Sequence, residues 1–239
     1  MTRFTKILMS LLILTFTLNA AEVYATFTVE PEKKAMLAFD ASGITQKVNY
    51  EIGDSVKKGS TLASLVNDDA KANLQSAKTT LKFSKKDYER QLKVKSLIDE
   101  GKFDQYAFKY ENAKNKLAFA LAKYNKTYLK APFDGVIYDK NIEVGDTVSG
   151  MMLKTVFKIQ SKSKRKLILA FDQKYHKQVK VGQSFKYSVD GDDEKYTGVI
   201  TKVYPFANSS NRKIKAEVKA KDFVVGLFGD GYITIPDNK

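Results

Sequence analysis

The single histidine of this 239-residue chain, His176, follows Asp172 by four residues. On a helix that spacing places a carboxylate beside an imidazole and lets it orient the ring for general acid–base work. The rest of a catalytic set is absent. No nucleophile elbow surrounds any serine, and no glycine-rich stretch is followed by the Lys-Ser/Thr pair that cradles phosphate. The pair therefore reads as a surface contact. Cysteine is absent too, which excludes disulfides, thiolate metal sites and an N-terminal lipidated cysteine. Three methionines beyond the N-terminal segment, Met36, Met151 and Met152, carry thioethers suited to a soft ion such as Cu(I). They form no cluster with histidine or cysteine, and Met151 and Met152 are expected to fill the edge of a sheet. The chain is read as non-enzymatic and free of cofactors.

The formal charge of +14 raises the possibility of nucleic acid. The lysines, however, are spread singly along periodic faces, and no basic block with interleaved aromatics or nucleic-acid motif occurs. A solvated basic surface is the expectation, with no nucleic-acid partner. At the N-terminus, Arg3 and Lys6 precede an apolar run from Ile7 to Leu18, and the small residues Ala20 and Ala21 follow. This is the layout of a secretory signal over residues 1–21, the alternative being an uncleaved anchor. Export without cysteine fits a bacterial periplasm.

The elements that would position any site begin with an internal repeat. Gly43-Ile44-Thr45-Gln46-Lys47-Val48-Asn49-Tyr50-Glu51-Ile52-Gly53-Asp54-Ser55-Val56 returns as Gly135-Val136-Ile137-Tyr138-Asp139-Lys140-Asn141-Ile142-Glu143-Val144-Gly145-Asp146-Thr147-Val148. Gly, Asn, Glu, Gly, Asp and Val keep the same offset. Each copy reads as strand, tight turn, strand, with turns at Gly53-Asp54 and Gly145-Asp146. The two half-motifs are expected to close into one small sandwich while the chain leaves between them.

That intervening segment has the pattern of two helices. Leu74, Ala77, Leu81, Ser84, Tyr88 and Gln91 in the first arm alternate steps of three and four. Tyr106, Tyr110, Ala113, Leu117, Ala120, Tyr124 and Thr127 do the same in the second. A narrow seam on otherwise polar faces predicts an antiparallel coiled-coil hairpin. At ~1.5 Å per residue, about 30 residues per arm give a length of about 45 Å. Gly101 is expected to cap the first helix in a left-handed conformation, and Asp104 to cap the second. After Gln160 the runs 166–171, 183–189, 196–204, 213–218 and 231–235 read as strands of a small barrel, with a short helix over 172–180. Residues 23–39 are strand-like and are expected to join that barrel.

This constellation resembles the membrane fusion protein (periplasmic adaptor, HlyD-like) family of bacterial efflux pumps, chiefly the branch serving resistance-nodulation-division (RND) transporters. The resemblance rests on Gly53-Asp54-Ser55-Val56-Lys57-Lys58-Gly59, on the helical pair, and on Leu129-Lys130-Ala131-Pro132-Phe133-Asp134-Gly135-Val136 at re-entry. Lys180-Val181-Gly182-Gln183 and Gly226-Leu227-Phe228 look like its barrel landmarks. It implies an α+β, mainly β fold: a split lipoyl-like sandwich over 42–67 and 131–160, an α-helical hairpin over 68–130, and a β-barrel over 22–41 and 161–239. No further membrane-proximal domain is expected. In that family the hairpin tip bears Arg, Leu and Ser, which dock onto an outer-membrane channel. Counting back from the second-helix cap places them on Lys93, Leu97 and Asp104, where Lys keeps the charge, Leu matches and Asp replaces Ser. The partners implied are an inner-membrane RND transporter, a TolC-like outer-membrane channel, and further copies of the chain in a trimer or hexamer. An adaptor of an ABC-type exporter or of a heavy-metal pump has the same architecture. A biotin or lipoate carrier needs a modified lysine at a hairpin tip, which the interruption of the two halves removes.

Overall fold

The computed structural model describes residues 21–235, so most of the segment read as a secretory signal over 1–21 lies outside the described residues. In the first part of the chain run β1 (Ala21–Pro31), β2 (Lys34–Leu37), β3 (Gly43–Val48), β4 (Ser55–Val56) and β5 (Thr61–Leu65). Two helices follow, α1 (Asp68–Lys93) and α2 (Glu100–Lys126). The chain returns through β6 (Tyr128–Lys130), β7 (Gly135–Lys140), β8 (Thr147–Val148) and β9 (Phe157–Gln160). It ends with β10 (Arg165–Asp172), β11 (Ser184–Val189), β12 (Tyr196–Asn208), β13 (Lys213–Ala220) and β14 (Phe228–Ile235). The fold is mainly β, and the described residues divide into two compact units, 31–164 on the one hand and 21–30 with 165–235 on the other.

One unit is a closed barrel in the order β1-β10-β13-β12-β11-β14. Alternation dictates its interior: Val23, Ala25, Phe27 and Val29 of β1 face Leu167, Leu169 and Phe171 of β10, with Phe185 and Tyr187 of β11. Phe27 meets the rings of Phe185 and Tyr187 edge-on, at 5.9 and 5.3 Å between centroids, the arrangement that ring quadrupoles favour. Closure leaves no strand edge unpaired within the barrel. The short helix expected over 172–180 shrinks to a single 3-10 turn, Gln173–Tyr175.

The other unit holds two four-stranded sheets, β2-β9-β7-β4 and β6-β5-β3-β8, over a core of Phe39, Leu62, Leu65, Ile137, Phe157, Ile159 and neighbours. Here the assignment of 22–41 to the barrel needs correction. β1 joins it, but the strand breaks at Glu32-Lys33, and β2 pairs with β9 from Lys34↔Gln160 to Leu37↔Phe157. Phe39 is buried in the sandwich core. Strand propensity marked the run correctly; it carries no information about which partner the strand finds.

The inserted helices run antiparallel, since Asn67 before α1 bonds Thr127 after α2 while Tyr88 near the end of α1 packs against Phe103 and stacks on Tyr110 of α2. At 26 and 27 residues each is about 40 Å long. Every residue of the expected seam is buried or half-buried, with Leu74 and Ala113 the most enclosed. No helix of the described residues is long and apolar enough to cross a membrane.

Candidate functional site

The repeat folds by exchange. Within each copy the Gly takes a left-handed conformation, φ +95° at Gly53 and +96° at Gly145, which a β-carbon would strain. The following aspartate closes the turn: Asp54 Oδ2 accepts from Glu51 N at 2.8 Å, and Asp146 Oδ2 from Glu143 N at 2.9 Å. Each turn then pairs with the other copy. Gly53 N donates to Ile137 O at 2.8 Å, and Gly145 N to Thr45 O at 2.9 Å. Strands follow the same rule, with Val56↔Gly135 and Ser55↔Val136 mirrored by Gly43↔Val148 and Ile44↔Thr147. Lys140 spans both copies: its Nζ lies 3.2 Å from Glu51 Oε1 and also bonds Glu143, the repeat equivalent of Glu51. Those bonds raise its pKa, the contact with Glu143 contributing most.

The re-entry phrase forms a clasp on the first copy. Ala131 N donates to Ser60 O at 2.9 Å, and Gly59 N to Ala131 O at 2.8 Å. Asp134 accepts from Lys58 N at 2.8 Å and faces Lys57 Nζ at 3.4 Å; the Lys58 bond first, and the Lys57 charge with it, hold its carboxyl below the usual carboxylate range. Gly135 is obligatory for a different reason from the turn glycines. A β-carbon there would stand 2.4 Å from Gln160 O and 2.9 Å from Ile159. The phrase Ala-Pro-Phe-Asp-Gly is thus an instruction to close the sandwich where the helices leave it.

The same junction fixes the base of the helical pair. Leu65 N donates to Thr127 O at 2.9 Å, and Asn67 Nδ2 to Thr127 Oγ1 at 3.1 Å. The Tyr124 and Tyr128 hydroxyls meet at 2.7 Å, and Lys126 bridges to Asp40 at 2.7 Å. Both helices therefore leave one rigid platform.

At the far end α1 stops at Lys93, and Lys95–Leu97 form a 3-10 turn. Asp99, not Asp104, caps α2: its Oδ1 accepts from Lys102 N at 3.0 Å. Gly101 lies inside α2 instead of ending α1, and Asp104 is an exposed residue of its second turn. The physical reason is local. Asp99-Glu100 places the cap and an acidic residue at the positive helix end one turn earlier than expected. Phe103, which extends the seam by one more step of three, seals this end against Tyr88 with Lys95 Nζ 4.8 Å above its ring. Of the tip candidates, Lys93 ends α1, Leu97 ends the turn and Asp104 sits just inside α2, so the structure brings all three to one end of the pair. Leu97 is 83% exposed, a large apolar side chain with no packing role in the isolated chain.

The chemical candidates do not assemble. Asp172 spends its carboxylate on Lys174 N at 2.8 Å, and His176 Nδ1 lies 3.1 Å from Gln173 O, so the two do not pair. Met36, Met151 and Met152 are 67, 91 and 78% exposed. The last two stand out from the loop after β8, contrary to the expectation that they fill a sheet edge. Gly150, just before them, lies against the Asp40–Ala41 backbone with no room for a β-carbon. Among the described residues no group of three or more His, Cys, Asp or Glu is placed to hold a metal ion.

Residues 33–160, the sandwich and the helical pair together, match the family described as CzcB-like, barrel-sandwich hybrid domain. The cobalt-zinc-cadmium resistance protein CzcB of Cupriavidus metallidurans is 25% identical over 204 residues, covering 78% of this chain and 39% of its own length. An uncharacterised protein of Haemophilus influenzae is 26% identical over 191 residues, covering 79% of this chain and 50% of its own. The chain thus spans half or less of these curated relatives. In fold it is similar to a MacA-MexA chimeric protein containing the Pseudomonas aeruginosa MexA α-hairpin domain, with a TM-score of 0.83, 22% identity, and coverage of 92% of this chain and 84% of that one.

Proposed function

The chain belongs to the membrane fusion protein (periplasmic adaptor) family with a CzcB-like barrel-sandwich hybrid domain, and from that premise we propose that it is the periplasmic adaptor subunit of a tripartite efflux pump. In this reading it links an inner-membrane RND transporter to a TolC-like outer-membrane channel and assembles on them as a trimer or hexamer. The helical pair is then a coiled-coil arm that supplies reach, and the transporter selects the cargo. One observation carries this reading: two matched sheet fragments exchange strands and clasp the base of a helical pair whose far end presents Leu97 to solvent. Lys93, Leu97 and Asp104 are the proposed docking residues.

Crosslinking intact envelopes and identifying what co-purifies tests the partners. Recovery of an RND transporter and an outer-membrane channel is expected; recovery of neither sinks the proposal. An ABC-type exporter recovered with the channel, in place of the RND transporter, would keep the adaptor role and change the pump. Export in cells lacking the wild-type chain tests the tip. Leu97→Asp is expected to abolish complementation with no change in thermal unfolding, and Leu97→Met to retain it. Full complementation by Leu97→Asp would remove the tip from the docking site.

A second reading, an adaptor of a heavy-metal pump, is favoured by the likeness to a cobalt-zinc-cadmium resistance protein. Growth of the deletion strain on cobalt, zinc and cadmium salts, against growth on organic toxicants, separates the two cargo classes.

A further inference from the structure

The barrel carries a groove that its architecture does not require. Between Val203↔Ala216 and Ala207↔Ile214 the β12–β13 register slips, so Tyr204, Pro205 and Phe206 bulge from the ladder. Pro205 has no N–H to lose there, and Phe206 is 59% exposed with its ring 6.0 Å from that of Tyr204. The bulge and the 3-10 turn after β10 flank an open groove of about 660 Å³ whose walls include Val203, Pro205, Phe206, Ile214, Lys174 and His176. That volume is in the range of small-molecule sites, roughly 300–1,000 Å³, and the mix of apolar wall with few polar groups is what such sites show.

Charge selects the ligand class. The groove's described lining contains two basic side chains and no carboxylate. Of the acids outside the lining, Asp172 accepts from Lys174 N, Glu217 accepts from Tyr204 OH at 2.7 Å and pairs with Lys166 Nζ at 3.0 Å, and Glu30 stands near Tyr204. Lys174 makes no ion pair among the described residues, its ammonium standing 4.9 Å from the Tyr175 ring centroid. His176 commits Nδ1 to Gln173 O at 3.1 Å, so its ring serves as a wall of the groove. The backbone N–H of Gln173 donates to Arg212 O at 3.0 Å, which brings the basic Arg212-Lys213 turn alongside. We infer that this groove binds an amphipathic anion, its apolar chain along Val203, Pro205 and Phe206 and its acidic head at the Lys174 ammonium. The site is independent of the adaptor reading and stands or falls separately.

Dodecanoate, below the concentration at which it forms micelles, is the probe, with dodecyltrimethylammonium as the partner of equal chain length and opposite charge. Isothermal titration of the full chain is expected to give one dodecanoate site, with the cationic amphiphile weaker by about tenfold or more because a charge-assisted contact is replaced by repulsion. Lys174→Glu and Phe206→Ser, both at exposed positions, should each weaken dodecanoate by a similar factor while the unfolding midpoint is unchanged. Equal binding of the two amphiphiles to the unaltered chain would overturn the inference without recourse to any variant. So would dodecanoate affinity that survives both substitutions, which would mark general adsorption to exposed apolar surface.

Discussion

Glycines in one small sandwich are irreplaceable for different reasons, and substitution separates them. Gly53 and Gly145 have open space around a hypothetical β-carbon and only their positive φ to protect. Alanine at either should cost about 1–2 kcal/mol, and the two values should agree because the turns are equivalent. Gly135→Ala, which drives a β-carbon into the Gln160 carbonyl, should cost more, about 2–3 kcal/mol. Urea unfolding of the three variants checks the ranking; equal losses at all three would remove the distinction. In the barrel, Tyr204, Glu217 and Lys166 form one network. Burial alone would raise the Glu217 pKa, but the bonds from Tyr204 and Lys166 outweigh it and hold the group below its ordinary value. Tyr204 is pushed up to about 12, chiefly by its bond to Glu217. Glu217 therefore contributes stability above its unfolded pKa of about 4.3 that is lost as pH falls through its folded value. Tyr204 contributes below pH of about 10 and loses its share as pH rises towards 12. Glu217→Gln should cost about 1–2 kcal/mol at neutral pH and flatten the loss in acid. A stability–pH curve parallel to wild type would show that the network does not carry this dependence.

Seam residues and exposed aromatics divide the energetics of the helical pair. Tyr88 stacks on Tyr110 at 5.3 Å and tilts against Phe103 at 5.6 Å, so Tyr88→Ala should destabilise the helical pair by about 2–3 kcal/mol. Phe83, more than half exposed on the same helix, should lose less than about 0.5 kcal/mol on the same change. Amide hydrogen exchange along α1 and α2 reports the difference locally; equal protection losses would mean that the seam is not the source of helix stability. Elements of this kind were legible because burial imposes a period. The alternating steps of three and four from Leu74 to Gln91, and from Tyr106 to Thr127, follow from one face being covered. The matched turns were legible because the repeat retained the residues that turn chemistry demands. The cap was not, since Asp99 and Asp104 stand five residues apart and either carboxylate suits a helix start; the acidic Glu100 behind Asp99 favours the earlier one. Nor was the partner of β2, since alternation shows that a strand has an inner face without showing which core that face meets. The groove at Pro205 depends on a bulge in pairing between Val203 and Ala207, which the alternation of β12 read by itself does not mark.

At the scale of the whole chain the units are nested insertions. The barrel takes β1 from before the sandwich and β10 to β14 from after it, and the sandwich takes β2 to β5 from before the helical pair and β6 to β9 from after it. Each insertion leaves and returns at adjacent points: Glu32 N is 2.9 Å from Lys164 O, and Asn67 Nδ2 is 3.1 Å from Thr127 Oγ1. Adjacent ends mean that an inserted part adds loop-closure entropy to its host and little else, a cost that grows only slowly with loop length. Removing parts from the inside outwards should therefore be tolerated. Joining Asn67 to Thr127 by a Gly-Ser linker of about four residues should leave the sandwich folded, because the strand exchange between Val56↔Gly135 and Gly43↔Val148 involves neither helix. Joining Glu32 to Lys164 in the same way should leave the barrel folded. Breaking an outer part should be felt within its own ring of contacts: deleting β1 removes Val23, Ala25, Phe27 and Val29 from the barrel core and opens its closed edge. Two-dimensional amide spectra of the two shortened chains, overlaid on the full chain, check this. If the sandwich resonances collapse when the helices are excised, the helical pair is part of the fold's foundation instead of an arm carried by it, and its assignment as a projecting docking element loses its physical basis.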